Sequence, residues 1–296
     1  MSRTPGRLRR SVLYVPASNP RALGKARNLG ADAIVVDLED AVAPAAKPAP
    51  RAALLEQFAS GGFAPAEAVI RVNAVGTPEL AADLEAVAQA RPDAVLLPKV
   101  DGPEDLQAFA QAAARAGVDP GIGLWAMVET AAGLCALEAI VAAGSSSRPV
   151  LDCLVIGTND IAKETGVFPG EQRMYLMPWL MNVVLIAKRH RICVLDGVWN
   201  EFRDQAGFEA EARQSARMAF DGKTLIHPTQ VEPANRLFSP SAEAIADARR
   251  IVAAFALPEH ANSNVINLGG RMVERLHLEQ AQRLLAVPAA GATNGG

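Results

Sequence analysis

Residues 33–40 read Ala33-Ile34-Val35-Val36-Asp37-Leu38-Glu39-Asp40, an apolar run that ends in three acids within four positions. The run lacks the in–out alternation of a half-buried strand. It suits a strand covered on both faces, as in a parallel sheet. The pattern recurs along the chain. Ser11–Val15 precedes it, and Val69–Val72, Ala94–Leu97, Gly123–Val128, Cys153–Gly157, Cys193–Leu195 and Lys223–Ile226 follow. Between these strands lie Ala-rich stretches of helical period, near Pro20–Leu29, Pro48–Ala59, Pro78–Ala90, Pro103–Ala116, Ala131–Ala143, Gln172–His190, Ala206–Ala219 and Thr229–Phe255. Proline just after a polar residue, as in Asn19-Pro20 and Thr77-Pro78, marks helix starts, because the first turn has no partner for an N–H there. Strand–helix repeats of roughly 30 residues predict a closed (β/α)₈ barrel, a TIM-type fold. An open doubly wound sheet is the alternative, but no Gly-rich phosphate turn follows the first strand.

The barrel takes residues 1–258 and leaves an extension over 259–296. Within it, Asn262–Leu268 predicts a short strand and Arg271–Leu285 an amphipathic helix. The tail Ala289–Gly296 is small and polar and predicts disorder, as does the chain's basic start. An element beyond a closed barrel must cap its own barrel or reach a neighbouring subunit. The chain has 296 residues, half of them apolar, and a net charge of −3. Both signs are interspersed, which argues against a nucleic-acid partner. No apolar run approaches the ~20 residues of a membrane span, and Ser11–Pro16 is too short for a signal segment. These features predict a cytoplasmic protein with no membrane partner. Cys135, Cys153 and Cys193 stand at no metal-like spacing and read as buried free thiols.

Position carries more than any motif. Reactive groups in such a barrel stand at the carboxyl ends of the strands. Here strand two ends in Asp37-Leu38-Glu39-Asp40, strand three carries Arg71 and Asn73, and strand four runs into Pro98-Lys99. Strand five ends in Glu129-Thr130. Thr158-Asn159-Asp160 follows strand six, Asp196-Gly197 closes strand seven and His227-Pro228 follows strand eight. Glu129 and Asp160, from adjacent strands, make a candidate pair for Mg²⁺, which takes a few carboxylate oxygens plus waters and substrate. The alternative is that each caps the helix after it. Arg71, inside an apolar strand, must find anions. Its fork suits a substrate carboxylate, or an ion pair with Glu39 or Asp40. The acids at 37, 39 and 40 repel one another and call for a cation such as Lys99 or Arg71. Arg10, Arg21 and Lys25 lie near strand one and could meet phosphates or serve as plain surface charge. Asp196-Gly197 reads as a turn, and His227 as a packed turn residue.

At these residues the sequence resembles the citrate-lyase β-subunit-like branch of the HpcH/HpaI aldolase superfamily, which includes malyl-CoA and citramalyl-CoA lyases. The resemblance rests on Arg10–Pro16, Asp37-Leu38-Glu39-Asp40-Ala41-Val42, Arg71-Val72-Asn73, Leu97-Pro98-Lys99, Glu129-Thr130, Gly157-Thr158-Asn159-Asp160 and Ile226-His227-Pro228, in order over about the first 230 residues. It implies a TIM barrel assembled as a homotrimer or hexamer, with Mg²⁺ on Glu129 and Asp160. It also implies that Arg71 contacts the oxo-acid part of a substrate, near Glu39 and Asp40. The implied activity is carbon–carbon cleavage of a short 3-hydroxyacyl-CoA thioester of citramalyl, malyl, methylmalyl or citryl type. The products are acetyl- or propionyl-CoA and a 2-oxo acid. Lys99, Arg21 and Lys25 are the further substrate-binding candidates. The base is one of Glu39, Asp40 and Glu274 of a neighbour. Similar proteins often carry Gly-Lys-Met-Ile/Val-Asp-x-Pro-His near the C-terminus, where this chain has Gly270-Arg271-Met272-Val273-Glu274-Arg275-Leu276-His277. Glu in place of Asp argues against a hydrolase step. The alternatives are a class II hydroxy-oxo-acid aldolase, a malyl-CoA thioesterase and a non-catalytic subunit that binds an acyl carrier.

Overall fold

The computed structural model describes residues 7–39, 48–260 and 262–286. Asp40, Ala41, Val42, the basic start and the C-terminal tail lie outside the described residues. Two compact units emerge, one from Leu8 to Phe238 and another that begins at Ser239.

The first unit alternates strands and helices: β1 Ser11–Pro16, α1 Pro20–Ala26, β2 Ala33–Asp37, α2 Pro48–Ala59, β3 Glu67–Arg71, α3 Leu80–Ala90, β4 Ala94–Leu97, α4 Pro103–Arg115, β5 Gly123–Val128, α5 Ala131–Cys135, α6 Leu137–Gly144, β6 Val150–Ile156, α7 Thr158–Thr165, α8 Met177–His190, β7 Cys193–Asp196, α9 Gln205–Arg217, β8 Gly222–Leu225 and α10 Val231–Leu237. All eight strands are parallel, and β8 pairs with β1 to close the barrel. Asn19 caps α1 by accepting from the Ala22 N–H, with Pro20 in the first turn.

Alternation along each strand sorts the core into two layers. Val12, Val35, Val69, Leu96, Trp125, Met127, Val155 and Leu195 form the inner cluster. Leu13, Ile34, Ile70, Val95, Leu124 and Leu154 face outward, in the larger cluster under the helices. Among the described residues no helix is long and apolar enough to cross a membrane.

The second unit contains α11 Ala242–Phe255, β9 Val265–Leu268, β10 Arg271–Glu274 and α12 Arg275–Ala286. Its own small core holds Ile251, Phe255, Ile266, Val273 and Ala281.

Three stretches depart from the sequence reading. Thr229–Phe255 is not one helix. It breaks at Ser239-Pro240, because proline disfavours a helical residue before it, and Ser241 caps the new helix. Residues 271–274 form a strand rather than a helix start. Gly269 and Gly270 both take positive φ, 61° and 82°, and turn the chain into a tight hairpin. Gln172 lies in a left-handed turn before α8, not in the helix, because Arg173 is pulled into the interior. The thiols differ as well. Cys153 is buried, but Cys193 is half-buried and Cys135 exposed.

Candidate active site

The alternation that points Val12, Val35, Val69 and Met127 inward continues to the carboxyl ends of their strands. Two residues further on stand Tyr14, Asp37, Arg71 and Glu129. All four line one cavity of about 360 Å³ at the barrel mouth, together with Asn159, Asp160, Asn200 and Thr224. Its walls at Met127, Ile156, Val198 and Ile226 are apolar.

Arg71 is buried, at 8 % exposure. Its Nε and Nη2 donate to the two carboxylate oxygens of Asp37, each at 2.7 Å. Its Nη1 lies 3.1 Å from Glu39 Oε2. Asp37 therefore takes the fork, with Glu39 as a second partner; Asp40 lies outside the described residues. Register explains this, since Asp37 and Arg71 are paired positions on β2 and β3. The guanidinium also sits 4.9 Å from the centre of the Tyr14 ring. Burial opposes its charge, but the hydrogen bonds to Asp37 and the surrounding negative groups outweigh it and keep it protonated.

Lys99 adopts φ 51° and donates its Nζ to Glu39. It does not line the cavity and reaches the site through Glu39. Its backbone N–H donates to Glu129 Oε1 at 2.8 Å.

Glu129 is 2 % exposed. Burial first, then Glu39 and Asp160, push its pKa up to about 8, against the backbone hydrogen bond from Lys99. It does not cap the next helix. Thr130 does so, by accepting from the Gly133 N–H. Asp160 lies in the first turn of α7, not at the strand end itself, and is half-buried. The two acids thus share one cavity and feel each other's charge. Hard carboxylate oxygens of this kind fit Mg²⁺, with water and substrate oxygens in the remaining positions. Among the described residues no three His, Cys, Asp or Glu side chains converge on one point, so the donor set disfavours a zinc cage.

Several residues were not singled out from sequence. The Tyr14 hydroxyl is buried, has no hydrogen-bond partner among the described residues and stands beside Arg71. Burial and the nearby acids hold its proton well above the usual phenol range, although Arg71 pulls the other way. Its parity with Val12 was the available signal. Asn200 pairs with Asn159 through reciprocal amide hydrogen bonds of 2.8 and 3.2 Å; nothing in the local sequence marks it.

Asp196 is more than a turn. It is fully buried and takes Lys223 Nζ at 2.7 Å, Arg173 Nη1 at 2.8 Å and the Ser215 hydroxyl at 2.6 Å. His227 caps a short 3₁₀ turn, stacks on Phe202 at 4.8 Å and is half-buried.

Arg21 and Lys25, both exposed on α1, line a second cavity of about 460 Å³ that shares Tyr14, Pro16 and Ile226 with the first. Arg10 is not available there. It lies at the opposite end of β1 and is tied to Asp32 by three hydrogen bonds. Glu274 ends β10 in the second unit, and its N–H donates to His277 Nδ1.

Known proteins resemble the chain in sequence and in fold. The model of the HpcH/HpaI aldolase/citrate lyase family matches residues 10–228. The chain is 44 % identical to a (3S)-malyl-CoA thioesterase of Cereibacter sphaeroides, over 94 % of this chain and 93 % of the relative. It is 32 % identical to the human mitochondrial citramalyl-CoA lyase, over 94 % and 85 % of the two chains. In three dimensions it resembles the CitE protein of Mycobacterium tuberculosis, solved with magnesium, acetoacetate and coenzyme A. The TM-score is 0.76 at 29 % identity, covering 95 % of this chain and 97 % of that one. Matched over most of its length in sequence and in fold, the chain belongs to the HpcH/HpaI aldolase/citrate lyase family.

Proposed function

We propose that this protein is a magnesium-dependent lyase acting on a short 3-hydroxyacyl-CoA of malyl, methylmalyl or citramalyl type, releasing acetyl-CoA, or propionyl-CoA from the methylmalyl substrate, and a 2-oxo acid. One observation carries the reading: Glu129, Asp160 and Arg71 line a single cavity at the barrel mouth. Relatives named for malyl-CoA and citramalyl-CoA supply the substrate class, and the magnesium in the CitE complex supplies the metal. Magnesium held by Glu129 and Asp160 would supply Lewis acidity toward the hydroxyl and carboxylate oxygens of the substrate.

The remaining work falls to side chains. Arg71, aimed by Asp37, binds the oxygen where negative charge develops. A preorganised donor in a water-poor site is worth several kcal/mol there. The Tyr14 hydroxyl donates to the same end of the substrate. The apolar wall accommodates a hydrogen or a methyl. A base takes the hydroxyl proton, and Glu39, Asp40 and Glu274 of a neighbour remain the candidates. Arg21 and Lys25 meet the phosphates of CoA in the adjoining cavity, while Lys99 acts through Glu39. The protein works as a cytoplasmic homo-oligomer, a trimer or hexamer, in which the second unit serves a neighbour.

A second reading is hydrolysis of the same thioester to malate and free CoA. Four Cereibacter sphaeroides relatives at 41–44 % identity bear the thioesterase name, which makes it the stronger reading on similarity. Geometry favours cleavage, because Arg71 lines the same cavity as the metal pair and could stabilise the oxygen charge that carbon–carbon cleavage develops there. Incubating (3S)-malyl-CoA and citramalyl-CoA with and without Mg²⁺ separates the two. Glyoxylate or pyruvate with acetyl-CoA supports the lyase. Malate or citramalate with free CoA, and no oxo acid, replaces it with the thioesterase. No turnover of any short hydroxyacyl-CoA removes both.

A further inference from the structure

Three turns meet at the candidate metal site, with a glycine in the β6 turn and another in the β7 turn at the contacts. A Cβ on Gly157 would come within 2.4 Å of Glu129 Cβ and 2.6 Å of its Oε2. A Cβ on Gly197 would lie 2.6 Å from Thr158 Oγ1 and 2.9 Å from the Ile156 carbonyl. Gly157 therefore packs against the Glu129 side chain and Gly197 against Thr158, with no room for a side chain at either glycine.

The β7 turn is tied from behind at two carbonyls. Lys223 Nζ donates to Gly197 O at 2.5 Å, and Gln230 Nε2 donates to Trp199 O at 3.1 Å. Both donors come from fully buried residues. Gln230 is itself fixed, because its Oε1 accepts from the backbone of Ile226 and His227 at 3.0 and 3.2 Å. The next residue along, Asn200, spans the gap to the β6 turn. Its Nδ2 donates to Asn159 Oδ1 at 2.8 Å and its Oδ1 accepts from Asn159 Nδ2 at 3.2 Å. Asn159 immediately precedes Asp160 in the first turn of α7.

We propose that Asn200 is a positioning residue for the metal site. It hands the rigidity of the β7 turn across the amide pair to Asn159, and so sets the backbone from which Asp160 projects toward Glu129. The proposal rests on the reading of Glu129 and Asp160 as Mg²⁺ ligands. Amide chemistry suits the task, since a carboxamide presents a donor and an acceptor side by side and two of them are self-complementary. An ionised carboxylate at 200, which only accepts, could not answer both halves of Asn159. Both side chains are exposed, so the pair adds little to global stability and acts on local geometry.

Titration of MgCl₂ into the metal-free, full-length protein by isothermal calorimetry, with no substrate present, reads this directly. Asn200→Ala is expected to bind Mg²⁺ about tenfold more weakly, as outer partners of metal ligands commonly do. Asn159→Ala should match it and guard against a single misfolded variant. The double variant should be no worse than either single, because the two side chains form one link. Melting curves of all three should stay close to wild type. Two results overturn the proposal: Asn200→Ala affinity within about twofold of wild type, or losses that multiply in the double variant. Glu129→Gln and Asp160→Asn separate this from the underlying reading. If they lose Mg²⁺ while Asn200→Ala does not, only the positioning role falls. If they bind as wild type does, or wild type binds none, both fall together.

Discussion

At the scale of single residues, Glu129 governs the account. Without metal its carboxyl is held at about 8 by burial, with Glu39 and Asp160 adding to the shift. Below pH 8 it carries a proton that a metal must displace. Apparent Mg²⁺ affinity should therefore rise about tenfold per pH unit up to about pH 8 and level off above it. Calorimetry at pH 7 in buffers of different ionisation enthalpy should show nearly one proton released per ion. A flat profile between about pH 6.5 and 8.5 would contradict the assignment. Arg71→Lys keeps a charge but loses the fork that grips Asp37 and faces the cavity. Its kcat/KM should fall by about 10²–10³, the loss typical of one preorganised donor. A fall of less than tenfold in steady-state assays would remove Arg71 from that role. Arg71 and Glu129 were legible as candidates because a charge on or just after an apolar strand has few uses, and Asp160 because it follows the neighbouring strand. The Asp37 fork was not, since it depends on register between β2 and β3. Nor was the Asn200–Asn159 pair, which depends on two turns meeting in space.

At the scale of elements, the β7–β8 edge is held by a buried ionic cluster. Burial raises the Asp196 pKa, but Lys223 and Arg173, with hydrogen bonds from Lys223 and Ser215, overcome it and hold the group at about 2. A folded-state value below the unfolded ~3.9 means stability that is fully present above about pH 4 and lost as pH falls toward 2. Urea midpoints should accordingly drop more steeply over that window in wild type than in Asp196→Asn. Parallel curves would contradict the linkage. At neutral pH, Asp196→Asn leaves two buried cations under-compensated and should destabilise by about 3–5 kcal/mol. Gly157→Ala is different in kind. Its backbone, at φ −97°, tolerates alanine, but the new Cβ meets Glu129. Mg²⁺ affinity should fall while the fold persists, and an alanine variant with wild-type affinity would show that the turn has slack. The strands were readable from sequence because unbroken apolar runs suit a doubly covered parallel sheet. The break at Ser239-Pro240 lay in plain view, but helical periodicity across it masked the proline signal, and the strand Arg271–Glu274 was absorbed into the amphipathic helix that follows it.

At the scale of the whole molecule, eight βα repeats, closed by β8 against β1, gather side chains from far-separated segments into one mouth. The sequence order of polar strand ends was enough to foresee that gathering, because barrel closure is a property of topology. Which residues touch, and which reaction follows, depends on ångström-scale contacts that order alone does not encode. Removing metal should be felt globally, since a ligand that binds only the folded state adds RT ln(1 + [L]/Kd), about 2.7 kcal/mol at roughly a hundred times Kd. Mg²⁺ should raise the melting temperature of wild type and leave that of Glu129→Gln unchanged. The most direct test is a crystal grown with Mn²⁺ in place of Mg²⁺, read by its anomalous difference map. The account predicts one strong peak at the mouth, bonded to an oxygen of Glu129 and an oxygen of Asp160 within about 2.3 Å, beside the Arg71 guanidinium. A peak elsewhere, or none between those two carboxylates, would contradict it.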